Sequence, residues 1–215
     1  MNISFYHHMK KIFILLIILS GAPYYICAQR VAIKTNLVAD ATTTMNLGLE
    51  LGLSKKTSLE VNVNYNPWLY EGKEVEGLGF VSKKFKHLLI QPEFRYWFCE
   101  RFNGHFIGIH AHWGKYNVGA LGLGDDDFAN PDYESKLWGN LGKNRYEGDF
   151  YGAGISYGYQ WVLSKHWNLE GNIGVGYARI QYDKYECQKC GTILESDHYN
   201  YFGPTKAAIS IIYLF

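Results

Sequence analysis

Charged residues recur inside apolar, alternating segments of this 215-residue chain. Glu50 stands between Leu49 and Leu51, Glu60 between Leu59 and Val61, Glu93 and Arg95 on either side of Phe94, and Glu170 after Leu169. Lys34 and Lys206 complete the set. Two carboxylates can act as a general acid and base, but no serine or cysteine partner accompanies these. Cations interleaved with carboxylates in a narrow space point to mutual pairing. The expectation is a structural charge network of Lys34, Glu50, Glu60, Glu93, Arg95, Glu170 and Lys206, with no catalytic residue.

Other groups carry weaker signals. Cys187-Gln188-Lys189-Cys190-Gly191 could be half a zinc site, a redox pair or a tight disulfide. No second C-x-x-C exists, and His198 is the nearest nitrogen ligand. The expected state is a Cys187–Cys190 disulfide, with a metal knuckle as the second reading and Cys99 as a lone thiol. His110 and His112 are two apart, so on a strand they face one side. They could hold a metal with a third ligand, but polar filling is the expected role. Asp125-Asp126-Asp127 with Asn130 and Asp132 lacks calcium-loop spacing and reads as a solvated loop. Glu195, Ser196 and His198 are close in sequence, but neighbouring positions rarely assemble a triad. No enzyme activity and no cofactor are expected.

The elements that must position these residues are strands. Apolar residues fall on alternate positions at Met45, Leu47, Leu49, Leu51 and Leu53, at Leu59, Val61, Val63 and Tyr65, and at Phe94, Tyr96 and Phe98. The same period runs through Tyr151, Ala153, Ile155, Tyr157, Tyr159 and Trp161, and through Ala207, Ile209, Ile211, Tyr213 and Phe215. Period two is the strand signature. It predicts about eight strands, near 31–39, 44–53, 58–67, 87–98, 104–115, 148–162, 167–182 and 201–215. Short turns at Ser54–Thr57, Cys99–Asn103 and Leu163–His166 alternate with long connections at Trp68–Phe85, Tyr116–Glu147 and Asp183–Asn200. The first connection on the long side, Asp40–Thr43, is short.

The N-terminus reads as an export signal. Lys10-Lys11 precede the apolar run Ile12–Leu19, the small residues Ser20-Gly21-Ala22 and the Cys27-Ala28-Gln29 site. That order is a secretory signal peptide, too short to span a bilayer as a helix. Cleavage is expected after Ala28, giving a signal peptide over 1–28 and one domain over 29–215. Met9 is an alternative start, and lipidation at Cys27 is a weaker reading because Tyr24-Tyr25-Ile26 are bulky. Removal takes two lysines and no acid from a chain with 21 basic and 20 acidic residues, leaving a near-neutral domain. No basic excess points to nucleic acid.

Strand alternation with charges mid-strand, 18 tyrosines, 23 glycines and only five prolines fit a transmembrane barrel. The fold class expected is all-β: a transmembrane antiparallel up-and-down β-barrel, preceded by the cleaved signal. Short turns would face the periplasm and long loops the outside. Aromatic belts are expected at both rims: Trp97, Phe98, Phe102, Trp161, Trp167, Tyr213 and Phe215 at the inner one, Tyr65, Trp68, Trp113, Tyr116, Tyr151, Tyr182 and Tyr201 at the outer.

Several segments are similar to an uncharacterised family of outer-membrane barrels from Bacteroides-type bacteria, a domain of unknown function. The carrying stretches include Lys34-Thr35-Asn36-Leu37, Asp40–Thr44, Asn64-Tyr65-Asn66-Pro67-Trp68, Gln91–Trp97, Gly104-His105-Phe106, Tyr116–Gly119 and Asn200–Lys206. The resemblance implies a barrel in the outer membrane of a Gram-negative bacterium and brings no activity. The function expected is a non-enzymatic structural, anchoring or surface-interaction barrel with a closed polar lumen. The alternatives are a narrow channel for small solutes and, behind it, a lipid-modifying enzyme. Expected partners are the bilayer and lipopolysaccharide, the barrel-assembly machinery through Phe215, and a surface or fimbrial protein.

Overall fold

A computed structural model describes residues 31–68, 73–75, 79–81, 84–119, 144–186 and 192–215. The expected signal peptide, the Asp125–Asp132 acidic stretch and both Cys187 and Cys190 lie outside them. Among the described residues there is no disulfide, and Cys99 is a free, exposed thiol.

Alternating side chains build strands β1 (Val31–Asn36), β2 (Met45–Gly52), β3 (Thr57–Asn66), β6 (Lys84–Trp97), β7 (Gly104–Gly119), β8 (Asn144–Val162), β9 (Trp167–Glu186) and β10 (Ile193–Leu214). These eight close into one antiparallel barrel of order β1-β10-β9-β8-β7-β6-β3-β2. A separate hairpin pairs β4 (Lys73–Val75) with β5 (Gly79–Val81). The barrel closes where β1 meets β10, with Ala32 opposite Leu214 and Asn36 opposite Ser210. No helix among the described residues is long and apolar enough to cross a membrane.

The short turns gather at the end that also holds Val31 and Phe215, joined by a 3.0 Å bond from the Phe215 amide to the Val31 carbonyl. Neighbouring turns are tied together: the Arg101 amide donates to Lys55 and the Leu214 amide to His166. The opposite end differs from expectation in two places. β1 stops at Asn36 instead of running to 39, and the five-residue helix α1 (Leu37–Ala41) follows. The cause is local. The Asn36 side chain accepts from the amides of Val38 and Ile209, so it caps a helix and ends the strand.

The second difference is larger. Asp183–Asn200 is not a long loop, because β9 continues to Glu186 and β10 starts at Ile193. Register pairs persist to Tyr185 and Ile193. The apolar Ile193 and Leu194 are adjacent rather than alternating, and polar residues fall on both faces, so the hairpin has no apolar period to reveal it. Glu195, Ser196 and His198 are therefore strand residues. Ser196 bonds Asp183 at 2.5 Å and His198 lies 3.5 Å from Asp197, and the three converge on no common site.

The two faces of the sheet are chemically opposed. Leu59, Phe94, Ile109, Ile155 and Val175 form one continuous outward row across five strands. Val63, Ile90, Trp113 and Tyr151 form another, and above it the same wall turns polar at Lys86, Lys115, Glu147 and Asp149. Inward positions hold Asn62, Gln91, Ser156, Asn172 and the charged set. Ile109, Ile155 and Ile173 are each more than 60 % exposed, the reverse of a water-soluble sandwich.

Two residues assigned to the inner aromatic belt point inward instead. Trp97 is fully buried because it shares strand parity with Glu93 and Arg95, not with Phe94 and Phe98. Phe102 adopts φ 63° in its turn and folds under the barrel. With Ala32, Phe106, Ile212 and Leu214 they form an apolar cluster. Phe106 lies against Gly158: a Cβ there would come 2.7 Å from Phe106 Cε1 and 2.8 Å from the Gly171 carbonyl. Gly158→Ala should therefore cost about 1–3 kcal/mol through overpacking, read as a lower urea midpoint for the refolded chain. An unchanged midpoint would mean that the ring has room to move.

Candidate functional site

The interior charges sit in one layer above the apolar cluster. Each comes from an inward position: Lys34 on β1, Glu50 on β2, Glu60 on β3, Glu93 and Arg95 on β6, Glu170 on β9 and Lys206 on β10. All are buried, and the register explains their mutual dependence. Glu50 lies opposite Glu60, and Glu60 opposite Glu93. Three carboxylates side by side repel one another, so the layer exists only if cations fill the space between them.

Arg95 does most of this. Its guanidinium reaches Glu170 through two nitrogens at 2.8 and 2.9 Å, Glu50 at 3.0 Å and Glu93 through Nε at 3.0 Å. It also pairs with Glu60. A rigid five-donor fork suits this role better than a single ammonium. Lys34 Nζ stands 2.6 Å from Glu50, 3.0 Å from Glu60 and 3.1 Å from Glu170. Lys206 bridges Glu60, at 3.3 Å, and Glu93. Hydroxyls complete the layer, with Ser58 donating to Glu50 at 2.5 Å and Ser156 to Glu93 at 2.9 Å.

The charge layer is joined to the apolar plug beneath it. The Trp97 indole donates to Ser58 Oγ at 2.8 Å, and the Arg95 guanidinium lies 4.3 Å from the Phe106 ring centroid. Asn168 Nδ2 donates to the Phe102 carbonyl at 2.9 Å, holding that turn under the barrel. Arg95 therefore has carboxylates around its edge and an aromatic face below it, a cation–π contact.

Above the charges the interior is polar and neutral. His110 and His112 point inward, both buried, with ring centroids 5.8 Å apart. His110 Nε2 bonds Thr205 Oγ1 at 2.9 Å. Thr205 faces inward because the register shifts between Pro204 and Lys206, a bulge that adds one residue to β10. Among the described residues no third histidine, cysteine or carboxylate joins the pair to make a metal set. The Nδ1 atoms of both histidines and the Oδ1 atoms of Asn62, Asn64 and Asn172 have no protein partner.

The chemistry of this arrangement is cohesive. Every carboxylate is held by cations, the two nearby serines already donate to carboxylates, and His110 bonds a threonine hydroxyl. Strand parity placed the seven charges from sequence. The plug of Trp97, Phe102 and Phe106 was missed, although Trp97 and Phe106 share parity with Arg95 and His110. Phe102 had no such signal, since a left-handed turn residue follows no strand period.

Comparison with known proteins adds a family and nothing on activity. A family model described as a protein of unknown function (DUF3575) matches residues 12–215. No curated protein matches the chain.

The charge layer yields a ranked expectation. Arg95→Met strands four carboxylates with two lysines and should destabilise by about 3–5 kcal/mol. Lys206→Met, which frees only two contacts, should cost less. Adding Glu170→Gln to Arg95→Met should recover part of the loss. A double-mutant cycle on urea unfolding measures this, and additive costs would show that Arg95 and Glu170 are not coupled.

Proposed function

The chain belongs to the DUF3575 family of proteins of unknown function, and for this member we propose an outer-membrane β-barrel with a sealed interior. It is a structural, anchoring or surface-interaction module that works through its outer ends and is neither an open pore nor an enzyme. The observation that carries this reading is the inverted wall: apolar rows outside, a salt-bridged layer and an aromatic plug inside.

Continuous apolar exteriors of this extent are unfavourable in water and normal against lipid, where closed barrels leave no backbone group unpaired. Exposed Trp161, Trp167 and Phe215 near the short turns, and Tyr65, Trp113 and Tyr151 at the other end, fit two interfacial girdles. The short-turn end then faces the periplasm. An export signal over 1–28 supplies the route. Phe215, exposed at the end of β10, supplies an aromatic terminus for the assembly machinery, and lipopolysaccharide surrounds the upper wall. A surface or fimbrial partner would meet the outer strands.

The narrow-channel reading fares worse. A solute path would have to cross both the ion-pair layer and the plug, at the level where Trp97 and Arg95 are fully buried.

Four measurements test the proposal. Refolded protein should show heat-modifiable migration and remain with membranes in carbonate, yet give no steady current in planar bilayers. A stable open-channel current would overturn the sealed interior. Ile109→Arg, on the outward row, should cost about 2–4 kcal/mol of folding stability in lipid, the penalty for a cation near the midplane. A variant as stable as the parent in bilayers would place that face in water.

A further inference from the structure

Two recesses lie on the outer wall, the upper one across β3, β6, β7 and β8 and the lower one from β6 to β10, and their linings differ in kind. The upper one, about 420 Å³, is bounded by Lys86, Lys115, Tyr65 and Asn117 and by Glu147 and Asp149, with Asp149 directly opposite Lys115. The lower one, about 790 Å³, is lined chiefly by apolar residues and runs from Phe94 and Ile109 across Ile155 to Val175 and Pro204. Between them run Trp113 opposite Tyr151 and then Ala111 opposite Ala153. Lys115, Trp113, Ala111 and Ile109 are every second residue of β7, so all point the same way. The two alanines leave a notch between larger neighbours. From Lys115 to Ile109 is six residues, about 20 Å along a strand.

The upper recess has charge to offer. Lys86 and Lys115 are exposed, and among the described residues neither is in an ion pair; beside them on β8, Arg145 pairs with Glu147. The Lys115 ammonium stands 5.9 Å from the Trp113 ring centroid. Glu147 is already engaged, accepting from Asn117 at 3.1 Å and lying 3.8 Å from Arg145. Two unpaired ammonium groups above an apolar recess, on one face, suit an anion that carries its own hydrocarbon.

We propose that this face is a binding site for a phosphorylated lipid of the outer leaflet. Its phosphate is held between Lys86 and Lys115, and an acyl chain runs past Ala111 and Ala153 into the lower recess. The inference rests on the membrane reading and adds to it a specific side of the barrel and a specific headgroup chemistry. Ammonium–phosphate contacts fix the head, and the lower recess gives the tail a surface that free phosphate could not use.

The test uses the full chain in phosphatidylcholine nanodiscs, with native mass spectrometry counting bound lipid. The probes are diphosphorylated lipid A, the same lipid with its phosphates removed, and inorganic phosphate. Lipid A should bind at least about tenfold more tightly than the dephosphorylated form, a difference of one charge-assisted contact or more. K86Q/K115Q should abolish that preference, and Ala111→Trp, which fills the notch, should weaken both lipids. Inorganic phosphate should not displace lipid A. Equal binding of the two lipids, an unchanged preference in K86Q/K115Q, or displacement by inorganic phosphate would each overturn the site. Heat-modifiable migration of each variant shows that it has folded. A chain that inserts into nanodiscs but shows no preference sinks this inference alone, whereas a chain that never inserts sinks the membrane reading with it.

Discussion

The contact on which the rest depends is the one between Arg95 and the four carboxylates around it. β2, β3 and β6 bring Glu50, Glu60 and Glu93 into one row, and no closed barrel tolerates such a row unneutralised. Buried ion pairs seldom add net stability over apolar packing, so the layer is not simply a store of energy. Its effect is on specificity. A one-residue slip of β6 would turn Arg95 outward and Trp97 with it. The charge layer and the plug would be lost together. A one-residue slip is thereby excluded by the charges and the plug together.

The same layer determines what the outer wall must be. An eight-strand barrel is just wide enough for its side chains to fill it. Once ion pairs and aromatic rings occupy that space, the apolar half of each strand has only the exterior left. Leu47, Ile109, Ile155 and Ile173 are exposed for that reason. Inward glycines make room for the filling. A Cβ on Gly108 would stand 2.6 Å from Ser156 Oγ, in the hydrogen-bonded group around Glu93. Interior crowding, wall chemistry and glycine placement are three consequences of one packing problem.

How much of this was legible depended on whether a residue's role follows strand period. The seven charges do: each interrupts an apolar alternation, and period two sends them to one side, so their convergence could be read before any geometry. Eight strands and the short turns were readable for the same reason. Trp97 aside, the failures share a cause. Asn36 ends β1 through its own side-chain hydrogen bonds, which depend on Ile209, 173 residues away. The upper β9–β10 hairpin has polar residues on both faces and is held by backbone pairing together with the Ser196–Asp183 and Lys184–Glu195 contacts. Trp97 was misread although its parity was plain, because the expectation of an aromatic rim outweighed the alternation. Thr205 joins His110 only because a bulge adds a residue beside Pro204, and bulge positions follow no period.

The two ends of the barrel are built to different standards, and that asymmetry bears on where activity belongs. At the short-turn end, turns bond to one another, the first and last residues of the barrel are tied together, and charge and aromatic layers are stacked in series. At the other end β8, β9 and β10 continue past β1, which pairs with β10 only from Ser210 onward. The projecting part of β10 keeps β9 on one side. Phe202, 81 % exposed, and Tyr199 stand on it in the open. Proteins place recognition on segments that a rigid scaffold holds in position. A barrel whose interior is filled and whose lower end is locked can vary its upper strands and loops without risk to register. The Arg95 layer draws none of its carboxylate partners from the far end.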